Sequence, residues 1–428
     1  MTKLSARTAG RGRARAAAAV ASVAAAAALA ACSPVAPVSH SSGSSSSSPP
    51  ATATSAPSST APPASAGTPG TQAGPAAGFQ LLSMSFVSDQ RGFALGTTGC
   101  GRERCPALLG TTDGGQTWAR LGAPDATAPG PDGRCSAQEV PCVDQVRFAT
   151  PLIGYAYDPS LYVTTDGGRH WQLRIGNVSS LEAAGGTVVR VASDYPGCGG
   201  SQQEIDVAQA GSGTWVPLPA PNLAEICPPV LYRQGQELVL AAYGNPAGGV
   251  RANAAISRSD NGGRTWTAAA PDDCGGRDGY ASAVALAPPD VLVLLCQHQL
   301  PSSSTAPAGE EFGPAWVRVS TDGGASFGPD QTVPFRAASA DGFATYQLAA
   351  ASSGRLLVVE TGAGQGQPTS QVLLSEDGGH SWSARLSLTG AARVVLVGYE
   401  DPLTGRVAQG DMVWTTGDGG RTWRRDLF

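Results

Sequence analysis

The chain has 428 residues, with 56 Gly, 33 Pro and only 14% charged residues, a profile of many short strands joined by turns and not of long surface helices. Five of its 28 basic residues (Lys3, Arg7, Arg11, Arg13, Arg15) lie in the first stretch, leaving 23 basic against 33 acidic residues in the remainder. No Lys follows position 3, so the clustered cations that a phosphate backbone requires are missing and nucleic acid is excluded as an expected partner.

Residues 1–31 read as a leader: a basic start, an apolar stretch from Ala16 to Ala31, then Leu29-Ala30-Ala31-Cys32. The tetrapeptide resembles the bacterial lipobox, which implies cleavage before Cys32, its lipidation, and tethering to the outer face of the cytoplasmic membrane. The alternative is an ordinary signal peptide cut at the Ala-rich site, giving a secreted protein. An uncleaved span is disfavoured because the Ala-rich stretch is short and weakly apolar. Residues 33–77 are almost entirely Ser, Pro, Ala, Thr and Gly with no Phe, Tyr or Trp and no acid, a composition that cannot bury enough apolar surface to offset ordering entropy. Residues 32–77 are expected to form a disordered spacer.

From residue 78 to 428 one pattern recurs: an apolar run, Ser or Thr, an Asp-Gly-Gly turn, then an aromatic residue. Thr111 to Trp118 carries Asp113, Thr164 to Trp171 carries Asp166, and Ser259 to Trp266 has Asn261 in the acid's place. Ser320 to Phe327 follows with Asp322, Ser375 to Trp382 with Asp377, and Thr416 to Trp423 with Asp418. A worn copy, Gly211-Ser212-Gly213-Thr214-Trp215, has lost the acid. The aromatic positions recur about every 51 residues, the size of a four-stranded blade, so the expected architecture is an all-β, seven-bladed β-propeller. Within the first unit the strands are placed at Phe79–Val87, Gly92–Thr97, Ala107–Thr111 and Thr117–Leu121. In the fifth they are placed at Tyr280–Ala287, Val291–Cys296, Trp316–Ser320 and from Phe327 onward.

These segments resemble Asp-boxes, the BNR repeats of sialidases, of the sortilin-type receptor propeller and of the photosystem II assembly factor. The resemblance spans nearly everything after residue 78 and is specific for fold, hardly for function. The residues themselves suggest a structural role. A carboxylate or amide there accepts bonds from its own turn, paired glycines supply positive φ, and the indole fills the wedge between neighbouring units. An acid repeated once per unit sits at symmetry-related places and does not converge on a metal or catalytic site, so neither metal nor cofactor is expected.

Because strand direction alternates, the boxes share one face with the first-to-second turns. The second-to-third turns and the crossings between units share the other. The long irregular stretches (122–145, 193–203, 244–252, 297–314, 361–369) all fall on that second face, the expected ligand face for a protein or glycan. So do Cys100, Cys105, Cys135, Cys142, Cys198, Cys227, Cys274 and Cys296. An even number in an exported chain favours disulfides; the expected pairs are 100–105, 135–142, 198–227 and 274–296.

A sialidase-like exo-glycosidase is the rival reading. Such enzymes carry an Arg-Ile-Pro-type motif in the first blade, three arginines, a Tyr–Glu nucleophile and an Asp. Here the first unit has no Arg before Arg91, and Pro334-Phe335-Arg336 is a poor echo in the wrong unit. Tyr399 and Glu400 are adjacent on a strand and point apart. Of the four histidines, His40 lies in the spacer, His170 and His380 in boxes, and His298 alone on a long loop. The expected function is therefore non-catalytic: a surface-anchored scaffold or assembly propeller, closest in style to the photosystem factor.

Overall fold

The computed structural model describes residues 78–130, 135, 141–193, 203–221, 229–242, 255–269, 274, 279–299, 312–334, 344–362, 369–389 and 394–428. The leader, Cys32, the spacer, Cys198, Cys227 and the interiors of most long loops lie outside these residues. The described residues are all strand and turn, without a helix.

The strands form six sheets, each built from strands consecutive in the chain. The first contains Gln80–Phe86, Gly92–Cys100, Glu103–Thr111 and Ala119–Leu121. Four further four-stranded sheets follow the second: 229–268 (third), 279–332 (fourth), 344–389 (fifth) and 394–427 (sixth). The second sheet has six strands, from Val143–Phe148 to Val216–Leu218. Counted as hydrogen-bonded sheets, the propeller has six blades, which corrects the expected seven. The reason is local. Gln172–Ala184 is one continuous strand that pairs through Gln172, Leu173, Arg174 and Asn177 with Gly154–Thr164, and from Asn177 to Ala184 with Thr187–Ser193. No break separates the second repeat's outgoing strand from the third repeat's incoming one. Gly154–Thr164 is also continuous, although its first half pairs back to Val143–Phe148 and its second half forward.

Packing explains why the strands read as apolar runs and not as alternations. Leu356 and Val358 face the fourth sheet, in a cluster with Leu295, Ala315 and Val317. Leu357 and Val359, on the other face of the same strand, pack with Val394, Val407 and Trp414 of the sixth. Both faces are buried, so both registers must be apolar. Each aromatic residue that ends a Gly-Gly turn packs against one of these inter-strand wedges: Trp118, Trp171, Trp215, Trp266, Phe327, Trp382 and Trp423 each join a different cluster. The expected outgoing strand at Phe327 begins later, at Gln331–Thr332. The aromatic ring closes the wedge from the turn, not from the strand.

Among the described residues the ring closes without strand exchange. The incoming strand Val394–Tyr399 packs against Gln80–Phe86, and the Leu81 amide donates to the Gly410 carbonyl at 3.0 Å. The C-terminal Phe428 ring lies 5.2 Å from Phe79 and 5.0 Å from Trp118. Arg406, 1% exposed, donates from Nη2 to the carbonyls of Asp89 (2.9 Å) and Gly114 (3.3 Å), and stacks 3.5 Å over the Phe86 ring.

Candidate binding face

The two ends of the sheets differ in chemistry. At one end lie the Asp-Gly-Gly turns. Thr111 Oγ1 donates to Asp113 Oδ1 (2.8 Å) and accepts from the Gly115 amide (2.9 Å). The Thr117 amide donates to Asp113 Oδ1 at 2.9 Å and the Thr117 hydroxyl to Oδ2 at 2.5 Å. Gly114 and Gly115 have φ of +73° and +90°, which a side chain would strain. The same bonds recur around Asp322, Asp377 and Asp418. At Asn261 the amide Nδ2 donates to Thr265 instead. At Asp166 the His170 ring takes the hydroxyl's place, with Nδ1 2.6 Å from Oδ2. Hydrogen bonds from the turns hold the carboxyls of Asp377 and Asp418 down to about 2 and those of Asp166 and Asp322 well below the usual range. The acceptor capacity of each acid is thus used within its own turn. In the worn copy the Gly211 amide donates to Tyr155 Oη at 2.8 Å, and Trp215 is held under Arg190, 4.0 Å above its ring.

At the opposite end, where second-to-third turns and crossings lie, the cysteines pair. Cys100–Cys105 closes the turn between Gly92–Cys100 and Glu103–Thr111. Cys135–Cys142 sits in the crossing into the second sheet. Cys274–Cys296 ties the crossing into the fourth sheet to that sheet's second strand. The expected 198–227 pair lies outside the described residues.

Among the catalytic candidates the structure separates rather than gathers. Tyr399 Oη donates to the Gly419 carbonyl at 3.0 Å, while Glu400 Oε1 meets Arg406 Nη1 at 2.5 Å; both belong to the turn end. Arg91 donates to the Thr111 carbonyl and stacks on Phe93. His380 Nδ1 donates to the Asp377 carbonyl at 2.7 Å. The side chains of His298 and Arg336 are outside the described residues. Among the described residues no three His, Cys, Asp or Glu side chains converge as metal ligands.

Two groups escape the sequence reading. Arg147 Nε donates to Glu182 Oε1 at 3.1 Å between neighbouring incoming strands, and Arg233 adds charge from the next strand while donating to Thr187. Burial pushes the Glu182 carboxyl up, opposed by Arg147. The second is Glu360, which ends the apolar run Leu356-Leu357-Val358-Val359. It is 7% exposed, no hydrogen bond or ion pair reaches it among the described residues, and burial alone raises its carboxyl to about 7. The only sequence signal for it is an acid terminating a run apolar on both faces.

The class is set by the closed ring of sheets: the chain is a β-propeller. No protein-family profile matches the sequence, and no curated protein matches it. Solved structures do match. A PL25 ulvan lyase bound to -[GlcA(1-4)Rha3S]- shares 8% identity over 83% of this chain and 96% of its own, with a TM-score of 0.52. YCF48 bound to D1 peptide shares 15% over 66% of this chain and 79% of its own, at a TM-score of 0.40. The GH74 enzyme of Niastella koreensis shares 13% over 81% of this chain and 65% of its own, at 0.43. At such identities the likeness is one of fold.

Proposed function

We propose that the chain is a non-catalytic, exported propeller that binds a protein or glycan through the face opposite the Asp-Gly-Gly turns, in a scaffold or assembly role. In this reading the turns are Asp-boxes of the BNR type, and a lipid on Cys32 holds the chain at the outer face of the cytoplasmic membrane. The observation that carries the proposal is the asymmetry of the two ends. Acids at the turn end are consumed by their own turns, whereas three disulfides brace the other end, where the long loops depart. Rigid bracing of irregular loops is what a binding surface on a repeat scaffold requires.

The test uses a photo-crosslinking amino acid at Arg102, exposed on the loop end, and at Gln116, exposed on the turn end, in the native envelope. A discrete adduct from position 102 and none from 116 supports the proposal; adducts from 116 alone overturn it. A fluorogenic sialoside, tested alongside, addresses the glycosidase alternative. Turnover lost on removing a carboxylate of the loop end would replace a binding role with a catalytic one. Loss of membrane association in Cys32→Ala tests the anchor.

A further inference from the structure

The wedge between the fourth and fifth sheets changes character at its loop end. Deep in the wedge it is apolar: Val293, Leu295, Ala315 and Val317 from one side, Leu348, Val358 and Leu373 from the other. One strand repeat further toward the loops, the residues that share this face turn polar. Glu360 lies directly opposite Tyr346 on one neighbouring strand and Gln371 on the other. From the facing sheet comes Gln297, opposite Ala315 and 5% exposed. Directly opposed residues of antiparallel strands project to the same side, so Tyr346, Glu360 and Gln371 form a short polar row above an apolar floor. The row stands between the bases of two of the longest second-to-third turns, 297–314 and 361–369.

The buried Asp206 has Arg190 at 2.9 Å, and the half-buried Glu182 has Arg147 at 3.1 Å. Among the described residues Glu360 has no such partner. An ionised carboxylate nine-tenths buried with neither donor nor counter-ion among the described residues is destabilising, a cost relieved by protonation or by a donor that binds it. The neighbours suit a donor guest: the side-chain amide of Gln371 with its carbonyl oxygen, a phenol ring and an apolar floor suited to the stem of a long cationic side chain.

We propose that this polar row is a binding site for a cationic nitrogen, a guanidinium or an ammonium group, with Glu360 as its anion and Gln371 as a flanking acceptor. The inference rests on the loop end being the binding face and narrows what the partner presents there. Burial without a partner accounts for the raised titration of Glu360, since no charged side chain contributes to it; a bound cation reverses that shift.

The experiment follows the Glu360 carboxyl by ¹³C NMR in the intact chain, assigned with Glu360→Gln, during titration with agmatine as a guanidinium probe and glucosamine as a sugar ammonium probe. The free carboxyl is expected to titrate near 7, and a saturating cation to lower its midpoint by a unit or more, weakening the probe's affinity at least tenfold in Glu360→Gln. A downward shift with agmatine points to an Arg- or Lys-bearing protein segment, and one with glucosamine alone to an amino sugar. A midpoint unmoved by millimolar amounts of either probe, or equal binding to Glu360→Gln, overturns the inference. The crosslinking result at Arg102 is unaffected by that failure, so the broader proposal is tested separately.

Discussion

Replacing Arg406 by Met removes the group that joins the last sheet to the first while leaving most of the stem's volume in place. The side chain is 1% exposed, its Nη1 faces Glu400 Oε1 at 2.5 Å, and its Nη2 serves two carbonyls of the first sheet's turns. Met leaves the two carbonyls and a largely buried carboxylate unserved and loses the contact over Phe86. Breaking one side of a buried pair costs about 3–5 kcal/mol, a range that already includes the orphaned partner. Unfolding entropy of about 2.1 cal/mol/K per residue over the roughly 350 residues of the propeller gives about 0.7 kcal/mol/K, so the expected fall in Tm is ~4–7 °C. The double variant Arg406→Met with Glu400→Gln should recover about 1–2 kcal/mol, because the uncompensated charge is gone. Calorimetry of the full chain measures the fall, and hydrogen exchange locates it: Gln80–Phe86 and Val394–Tyr399 should open first. A change below 1 °C, or loss of protection spread evenly over all sheets, would refute Arg406 as the closure.

Acid lability follows from the turns. The carboxyls of Asp377 and Asp418 sit at about 2 when folded, against about 3.9 unfolded, so their contribution is complete above the unfolded value and lost as pH falls from about 4 toward 2. Asp418→Asn, which keeps an acceptor as Asn261 does, should flatten that part of the acid-denaturation curve. Replacing both Cys274 and Cys296, 22 residues apart, by Ala should cost about 3 kcal/mol by loop entropy, and the Cys100–Cys105 bridge, 5 apart, about 2; denaturant midpoints rank them. EDTA should leave Tm within a degree, since the turn acids are already satisfied by their own amides and hydroxyls; a larger drop would place a cation where none is expected.

The spacing of seven aromatic residues made the propeller legible, because one turn chemistry recurs wherever one wedge must be plugged. The pairing of Cys100 with Cys105 was legible as well, since five residues allow little but a hairpin between them. The fusion of the second sheet was not. It depends on Gln172–Ala184 continuing as strand through Arg174, Ile175 and Gly176, with Ile175 fully exposed, a place where hydrophobicity argues against an edge and no turn residue but Gly176 marks the junction. Glu360 was invisible for a different reason: an acid at a strand end normally reaches water, and only the facing sheet decides that this one does not.

The closure uses both ends of the molecule, by different means. Without strand exchange among the described residues, the first and last sheets are joined by the Leu81–Gly410 backbone bond and by side chains. At the turn end, Arg406 reaches the carbonyls of Asp89 and Gly114, and Arg355 reaches the Pro402 carbonyl at 3.0 Å between the fifth and sixth sheets. Arg258 likewise meets Asp290 between the third and fourth. Arginine suits this task because its fork serves several oxygens at once. The loop end holds the ring by other means: the Leu81 amide bonds the Gly410 carbonyl, Phe428 packs on Phe79, and Gln347 Nε2 donates to the Val394 carbonyl at 2.8 Å between the fifth and sixth sheets. Glu360 stands apart from these contacts: among the described residues none serves its carboxyl, and burial alone raises it.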